Sequence, residues 1–283
     1  MLDLFTIIWG EEMVASYLDV VLPSLMQPDN IPGANTLLGN YTLYASDDAR
    51  AAISENERFK ALPSWIDIVW VSLQKGEWET TSNTAHQMRR SAKAGNHMLI
   101  LTPDTAIGNG SIANIAKLCR EGYNPILFGF PRVTEDGYQA MKKRYSTGDI
   151  ISNRQMVSMA MNHVEQVTYA MENRESRGIV HNNTWVVRHN VPTPCIKPDK
   201  FIIRLFGTNP TVNSGFDHIL PYILVEAGYP WHLIRHSDIY FQAERGRHLI
   251  SEGSGHDTQN WDTYKQIRSL EFFNKEEVIW QGT

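Results

Sequence analysis

Cysteine is nearly missing: 283 residues hold only Cys119 and Cys195. Two thiols so far apart in sequence are neither the close pairs of a zinc ribbon nor the even sets of a secreted disulfide framework. Reduced thiols in a cytoplasmic setting are the expectation. No stretch approaches the roughly 20 consecutive apolar residues of a membrane span. The apolar residues 1–10 have no basic leader and no small-residue cleavage site before Glu11 and Glu12 interrupt them, so no signal sequence is expected. A basic excess is absent too, since 26 Lys and Arg stand against 31 Asp and Glu for a net charge of -5. That disfavours DNA as a partner while leaving room for a local basic groove. Internal repeats and low-complexity segments are lacking. So are Gly-x-Gly-x-x-Gly, Gly-x-x-x-x-Gly-Lys-Ser/Thr, Gly-x-Ser-x-Gly and His-Glu-x-x-His, which removes the main support for a dehydrogenase, a P-loop kinase, an α/β-hydrolase or a zincin.

What is present is a core. Hydrophobic residues make up 42% of the chain, too many for disorder, and the length suits one large or two small domains. Residues 2–9 read as a strand stopped by Gly10, and residues 11–26 place Met13, Tyr17, Val20, Val21, Leu22 and Leu25 at helical spacings. A second strand at 41–45 precedes a helix at 47–61 with Ser46 or Asp47 as its cap. Strands at 66–73, 97–101 and 126–130 alternate with helices at 80–94 and at 111–121, the latter capped by Ser111 and ended by Gly122. This is the rhythm of a mostly parallel sheet covered by helices. After Pro131 the pattern turns to α+β: helices at 138–145, 153–173 and 216–227, and strands at 179–190, 201–206 and 231–234. The stretch Glu252-Gly253-Ser254-Gly255-His256 lies in a segment, 246–261, that serves either as a lid over a site or as a plain surface connection.

In such sheets ligands bind beyond the carboxyl ends of the strands. Those ends carry Trp9-Gly10-Glu11, Ser46-Asp47-Asp48, Ser72-Leu73-Gln74 and Thr102-Pro103-Asp104-Thr105. Asp104 follows the most apolar strand and suits a divalent cation that bridges phosphate oxygens; a Pro-Asp turn capping its own amides is the plainer reading. Arg89 and Arg90 point about 100 degrees apart on their helix, so one of them at most meets a diphosphate, with His86 one turn earlier. Asp217 beside His218 suits a general base for an acceptor hydroxyl, or a first-turn residue complementing a helix dipole. His236 in His236-Ser237-Asp238 is a candidate second metal or phosphate contact.

The order of a strand ending in Trp-Gly, a strand ending in Asp-Asp, an arginine-bearing helix, an apolar strand and a single Asp resembles the nucleotide-sugar-binding half of a GT-A type glycosyltransferase. Phe5-Thr6-Ile7-Ile8-Trp9-Gly10, Tyr17-Leu18, Leu22-Pro23-Ser24-Leu25 and His97-Met98-Leu99-Ile100-Leu101-Thr102-Pro103-Asp104 are similar to bacterial and phage proteins of that family over residues 1 to about 130. The resemblance implies a Rossmann-like α/β fold, one integrated domain with a donor half at 1–130 and an α+β acceptor half at 131–283. It implies transfer of a sugar from a nucleotide-diphosphate donor to an acceptor hydroxyl. The first strand loop, Trp9, Gly10 and Glu11, with Asp47 or Asp48 would surround the base and ribose, and Asp104 would sit near the diphosphate and its manganese or magnesium ion; Arg89 or Arg90 stays the candidate diphosphate partner and His236 the candidate second metal contact. The family's metal motif is Asp-x-Asp, whereas this chain keeps one carboxylate there. The acceptor is a saccharide, a lipid-linked glycan or a hydroxymethylated base in phage DNA. For the DNA acceptor, Lys142-Lys143-Arg144, Arg245 and Arg247 would grip phosphates and Trp185 or Tyr240 would stack a flipped base. A nucleotidyltransferase and a non-catalytic binding module of the same fold are the alternatives. The sequence assigns no oligomeric state.

Overall fold

Leu2–Ile8 forms strand β1, and all seven of its residues are buried, as befits a strand covered on both faces. In a computed structural model, residues 1–73, 80–164, 184–188, 193–208, 220–246 and 277–283 are described. Strands β2 (Leu38–Ala45), β3 (Asp67–Ser72) and β4 (His97–Ile100) join β1 in a parallel sheet of order β3-β2-β1-β4. Phe5 of β1 sits between Thr42 of β2 and Ile100 of β4. The chain winds outward from β1 to β3 and then returns to β4, so the winding reverses between β1 and β4.

The helix expected over 11–26 is one continuous rod: α1 (Gly10–Ser16), a π turn at Tyr17–Val21 and α2 (Leu22–Leu25). All six apolar residues spaced for its inner face are buried. After α3 (Ile31–Ala34), the helix expected at 47–61 divides into α4 (Asp47–Glu55) and α5 (Glu57–Lys60). Asn56 divides it: its backbone is extended, and its side chain accepts from the N–H groups of Arg58 and Phe59 to start the second piece. Ser46 caps α4 through the N–H of Ala49. Next come α6 (Thr80–Ala94), β5 (Thr105–Ile107), α7 (Ser111–Glu121), β6 (Ile126–Phe128), β7 (Arg132–Val133), α8 (Glu135–Ser146) and α9 (Asn153–Met161). The remainder comprises β8 (Thr184–Arg188), β9 (Thr193–Cys195), α10 (Lys200–Thr208), α11 (Leu220–Glu226), β10 (His232–Leu233), β11 (Gln242–Arg245) and β12 (Glu277–Gln281).

Met98 and Ile196 exchange backbone hydrogen bonds as an antiparallel bridge, which carries the sheet from β4 to β9. Since β9 is antiparallel to β6 and β6 is parallel to β10, the strands run β3-β2-β1-β4-β9-β6-β10 with β9 alone reversed. The fold is mixed α/β with a mostly parallel sheet, as the sequence implies. Alternation along β1 sends Leu4 and Ile8 to one face, packed with Tyr17, Leu25, Ile53, Ile112 and Ile115. Phe5 and Ile7 go to the other, packed with Met88, Ile202, Phe206 and Leu224. A third cluster joins Met141, Met156, Phe241 and Trp280 beside the small sheet β5-β11-β7.

Three expectations are corrected. Residues 201–206 lie in helix α10, not a strand, because Asp199 caps it through the N–H of Ile202 and Ile202 and Phe206 bury one turn apart. The helix expected at 153–173 ends at Met161, and Val164 instead bridges Val133. Ser111 is not the cap of α7. Gly110, with φ 92, holds that position, while the Ser111 hydroxyl donates to Asn153 Oδ1 and accepts from the N–H of Phe241. Within 216–227, the described helix is Leu220–Glu226, and within 179–190 the described strand is Thr184–Arg188.

Candidate functional site

The crevice beyond the carboxyl ends of β1 and β4 is where the winding reverses, which is where open α/β sheets leave room for a ligand. Only Trp9 separates β1 from α1. Its backbone is extended, and Gly10 follows with φ 74, a conformation that glycine adopts without strain. Glu11 and Glu12 occupy the first turn of α1. On the β4 side the turn Thr102–Thr105 brings Asp104 to 5% exposure, and its carbonyl accepts from the N–H of Arg245. The hydroxyls of Thr102 and Thr105 hydrogen-bond within that turn.

Antiparallel pairing of β11 with β5 lays Glu244 opposite Thr105 and so delivers Arg245 to the same place. Its Nε donates to Glu135 Oε2 at 2.6 Å, and its Nη1 donates to Glu12 Oε1 at 2.9 Å and to Ser16 Oγ at 3.4 Å. The guanidinium lies 5.0 Å over the ring of Tyr138, whose hydroxyl donates to the carbonyl of Ser16. Burial raises the Tyr138 phenol, Arg245 opposes that rise, and Asp104 adds to it, so Asp104 lies within electrostatic reach of the cluster. Burial disfavours charge on Glu135, yet hydrogen bonds from Gln139 and Arg245 bring its carboxyl below the ordinary value. Burial likewise disfavours the Arg245 cation, and Glu135 and Glu12 overcome it. The result is one guanidinium shared by two carboxylates, with a third beside it.

The residues singled out in the sequence are dispersed. Trp9, Gly10, Glu11 and Asp104 stand at the crevice. Asp47 and Asp48 are exposed at the end of β2, where Asp47 accepts from Ser72 Oγ. Arg89 is exposed and Arg90 half-buried on α6. Arg90 bears on Tyr44, raised chiefly by burial, and on His86, lowered chiefly by burial, and these two rings share a hydrogen bond. Ser91, next in the chain, donates to Asp3 near the amino end of β1, so this turn of α6 lies toward that end of the sheet. His236 is exposed, bridges Ile279 by its backbone and lines a groove with Trp231, His232 and Arg235. Asp217, His218, Arg247 and segment 247–261 lie outside the described residues.

Among the described residues no group of three or more His, Cys, Asp or Glu side chains is arranged to hold a metal ion. Neither Asp104 nor His236 is part of such a group. The phosphate grip envisaged for DNA also looks different in place. Lys142 pairs with Asp19 at 2.7 Å, Arg144 with Asp149 at 2.5 Å, and Arg245 with Glu12 and Glu135. Tyr240 is 2% exposed against Phe128, so its ring has no face open to a flipped base. The side chain of Trp185 is outside the description. Glu12, Ser16, Glu135 and Tyr138 are not among the site residues that the sequence points to. The only local signal was the spacing of Glu12 and Ser16, one helical turn apart.

Comparison with known proteins gives the sequence no family: no family model matches it, and no curated protein does. Several solved structures are similar at a low level, two of them as follows. One is described as a glucose-1-phosphate thymidylyltransferase from Bacillus anthracis in complex with sucrose, 6% identical, covering 82% of this chain and 86% of that one, with a TM-score of 0.41. The other is the inositol-1-phosphate CTP transferase from T. maritima, 10% identical, covering 95% of this chain and 96% of that one, with a TM-score of 0.38. Among the described residues no helix is long and apolar enough to cross a membrane.

Proposed function

We propose that the chain is a nucleotide-dependent transferase acting on a sugar, with its donor in the crevice beyond β1 and β4. The observation that carries this reading is the convergence there of Trp9, Glu12, Asp104, Glu135 and Arg245 at the reversal of a mostly parallel sheet. Residues 1–130 would form the donor half and residues 131–283 the acceptor half. A charged leaving group entering the crevice would compete with Glu12, the more exposed of Arg245's two partners at 67%, and Arg245 would then neutralise charge growing on the departing phosphate. Asp104 and Glu135 would set the orientation of that guanidinium. A metal ion, if the reaction takes one, would need ligands from the substrate as well as Asp104, and no step here depends on it.

Glycosyl transfer from a nucleotide-diphosphate sugar is the finer reading we favour. With Trp9 alone between β1 and α1, no glycine-rich basic loop stands there to wrap a triphosphate. Nucleotidyl transfer to a sugar or cyclitol phosphate, the kind of activity named for the two structures described above, is the second reading, because the same sheet and buried carboxylate would serve it. Asp217 with His218 remains the proposed base toward an acceptor hydroxyl, saccharide or modified DNA.

The test offers the protein a panel of nucleotide sugars in one series, and nucleoside triphosphates with sugar 1-phosphates in another. Release of a nucleoside diphosphate supports glycosyl transfer, and release of pyrophosphate supports nucleotidyl transfer. Asp104→Asn and Arg245→Ala should each lower the active series by about 100-fold or more. No release in either series, with no shift of the melting temperature, would leave a binding module in place of an enzyme.

A further inference from the structure

Cys119 and Cys195 are 76 positions apart in sequence, yet their Sγ atoms lie 3.7 Å from each other, and neither is in a disulfide. Cys119 sits in the last turns of α7, and Cys195 closes β9 in register with Ile126 of β6. A buried cysteine is ordinarily an inert, small apolar group. This pair differs in two respects. The sulfurs face each other across a helix–sheet contact, and His97 lies near enough to favour the Cys119 thiolate. His97 Nε2 lies 2.8 Å from the carbonyl oxygen of Tyr123; a carbonyl only accepts, so Nε2 carries its proton.

The two thiols are not equivalent. Burial works against the Cys119 thiolate, but Cys195, His97 and the amino terminus overcome it and bring the thiol below its ordinary value. Burial and the neighbouring sulfur push Cys195 well above its ordinary value. Cys119 also keeps 5% exposure where Cys195 has none. One sulfur is thus prepared to attack and the other to resolve.

We propose that Cys119 and Cys195 are a peroxide-oxidisable thiol pair that closes reversibly into an intramolecular disulfide joining α7 to β9. The Cys119 thiolate attacks a peroxide oxygen, the O–O bond breaks, and Cys119 becomes a sulfenic acid as the second oxygen leaves and takes up a proton as water or alcohol. The Cys195 sulfur then attacks the sulfenyl sulfur, loses its proton, forms the S–S bond and releases water. The two sulfurs together give up two electrons, which the peroxide accepts, and an external dithiol reverses the change. This pair lies at the far end of α7 from the Gly110 loop that follows Asp104 and β5, and it does not depend on the function proposed above.

The experiment treats the reduced full-length protein with one equivalent of hydrogen peroxide, alkylates it under denaturing conditions and measures intact mass and peptides. Both thiols should disappear together, with a mass lower by two hydrogens, a peptide cross-linked between Cys119 and Cys195, and full recovery with dithiothreitol. In Cys195→Ser, dimedone should label Cys119, whereas in Cys119→Ser the remaining thiol should persist at the same dose. Sulfinic or sulfonic acids without a cross-link, a disulfide between two chains, or thiols untouched at a dose that oxidises glutathione would each overturn the proposal. The wild-type mass decides it even if a serine variant does not fold.

Discussion

Asp3 shows how tightly this sheet is determined at single residues. It is 1% exposed, and its carboxylate accepts from Ser91 Oγ, Asn96 Nδ2 and the N–H of Asn40. Three donors compensate the removal of that charge from water. Gly39 leaves them room, since a Cβ there would overlap Asp3 Oδ1 and stand 2.7 Å from Asn96 Nδ2. Gly39→Ala should therefore destabilise the protein by about 1–3 kcal/mol in urea unfolding, because backbone and carboxylate must part. Glu135 makes a pH-dependent prediction. Its folded-state carboxyl titrates below the ordinary 4.5, so the stability it adds is complete above that value and is lost as pH falls through the lowered one. Glu135→Gln should flatten that part of the acid limb, as read from urea midpoints across a pH series, while the wild type keeps its slope.

At the scale of elements, local signals decide most outcomes. Ser152 accepts from the N–H of Gln155, and the Gln155 side chain returns to the N–H of Ser152, so two of the free donors at the start of α9 are satisfied reciprocally. Ser152→Ala should remove about 1 kcal/mol of stability in the same unfolding assay. The rods and strands with strong periodicity were legible in the sequence: the helix expected at 80–94 is Thr80–Ala94, and β1 is a buried run ended at Gly10 as its composition implied. Residues 201–206 were not, because Phe-Ile-Ile-Arg-Leu-Phe contains β-branched and aromatic residues that suit a strand equally well. The Asp199 cap after Pro198 and the one-turn spacing of Ile202 and Phe206 decided for a helix. The two-residue strand β7 leaves no periodic trace, whereas β10 falls within the strand expected at 231–234. They exist because the strands beside them are already in place.

For the whole molecule, the crevice was legible and its contents only partly so. Alternating strands and helices located the carboxyl ends, and with them Trp9 and Asp104. The charge cluster draws Glu12, Glu135 and Arg245 from three elements, the last two separated by 110 residues and the outer two by 233, and no local pattern connects them. Their meeting is a product of the β5–β11 pairing and of α8 packing beside the π turn that follows α1. The same long-range assembly brings Cys119 to Cys195 at the far end of α7. The central claim is that a nucleotide-linked donor sits beyond β1 and β4. Hydrogen–deuterium exchange of the full chain, with and without saturating nucleotide sugars and nucleoside triphosphates, tests it most directly. The account predicts slowed exchange in residues 8–13 and 101–107 with at least one of these ligands, weakened in Arg245→Ala. Binding that protects other segments and leaves both of these unchanged would contradict it.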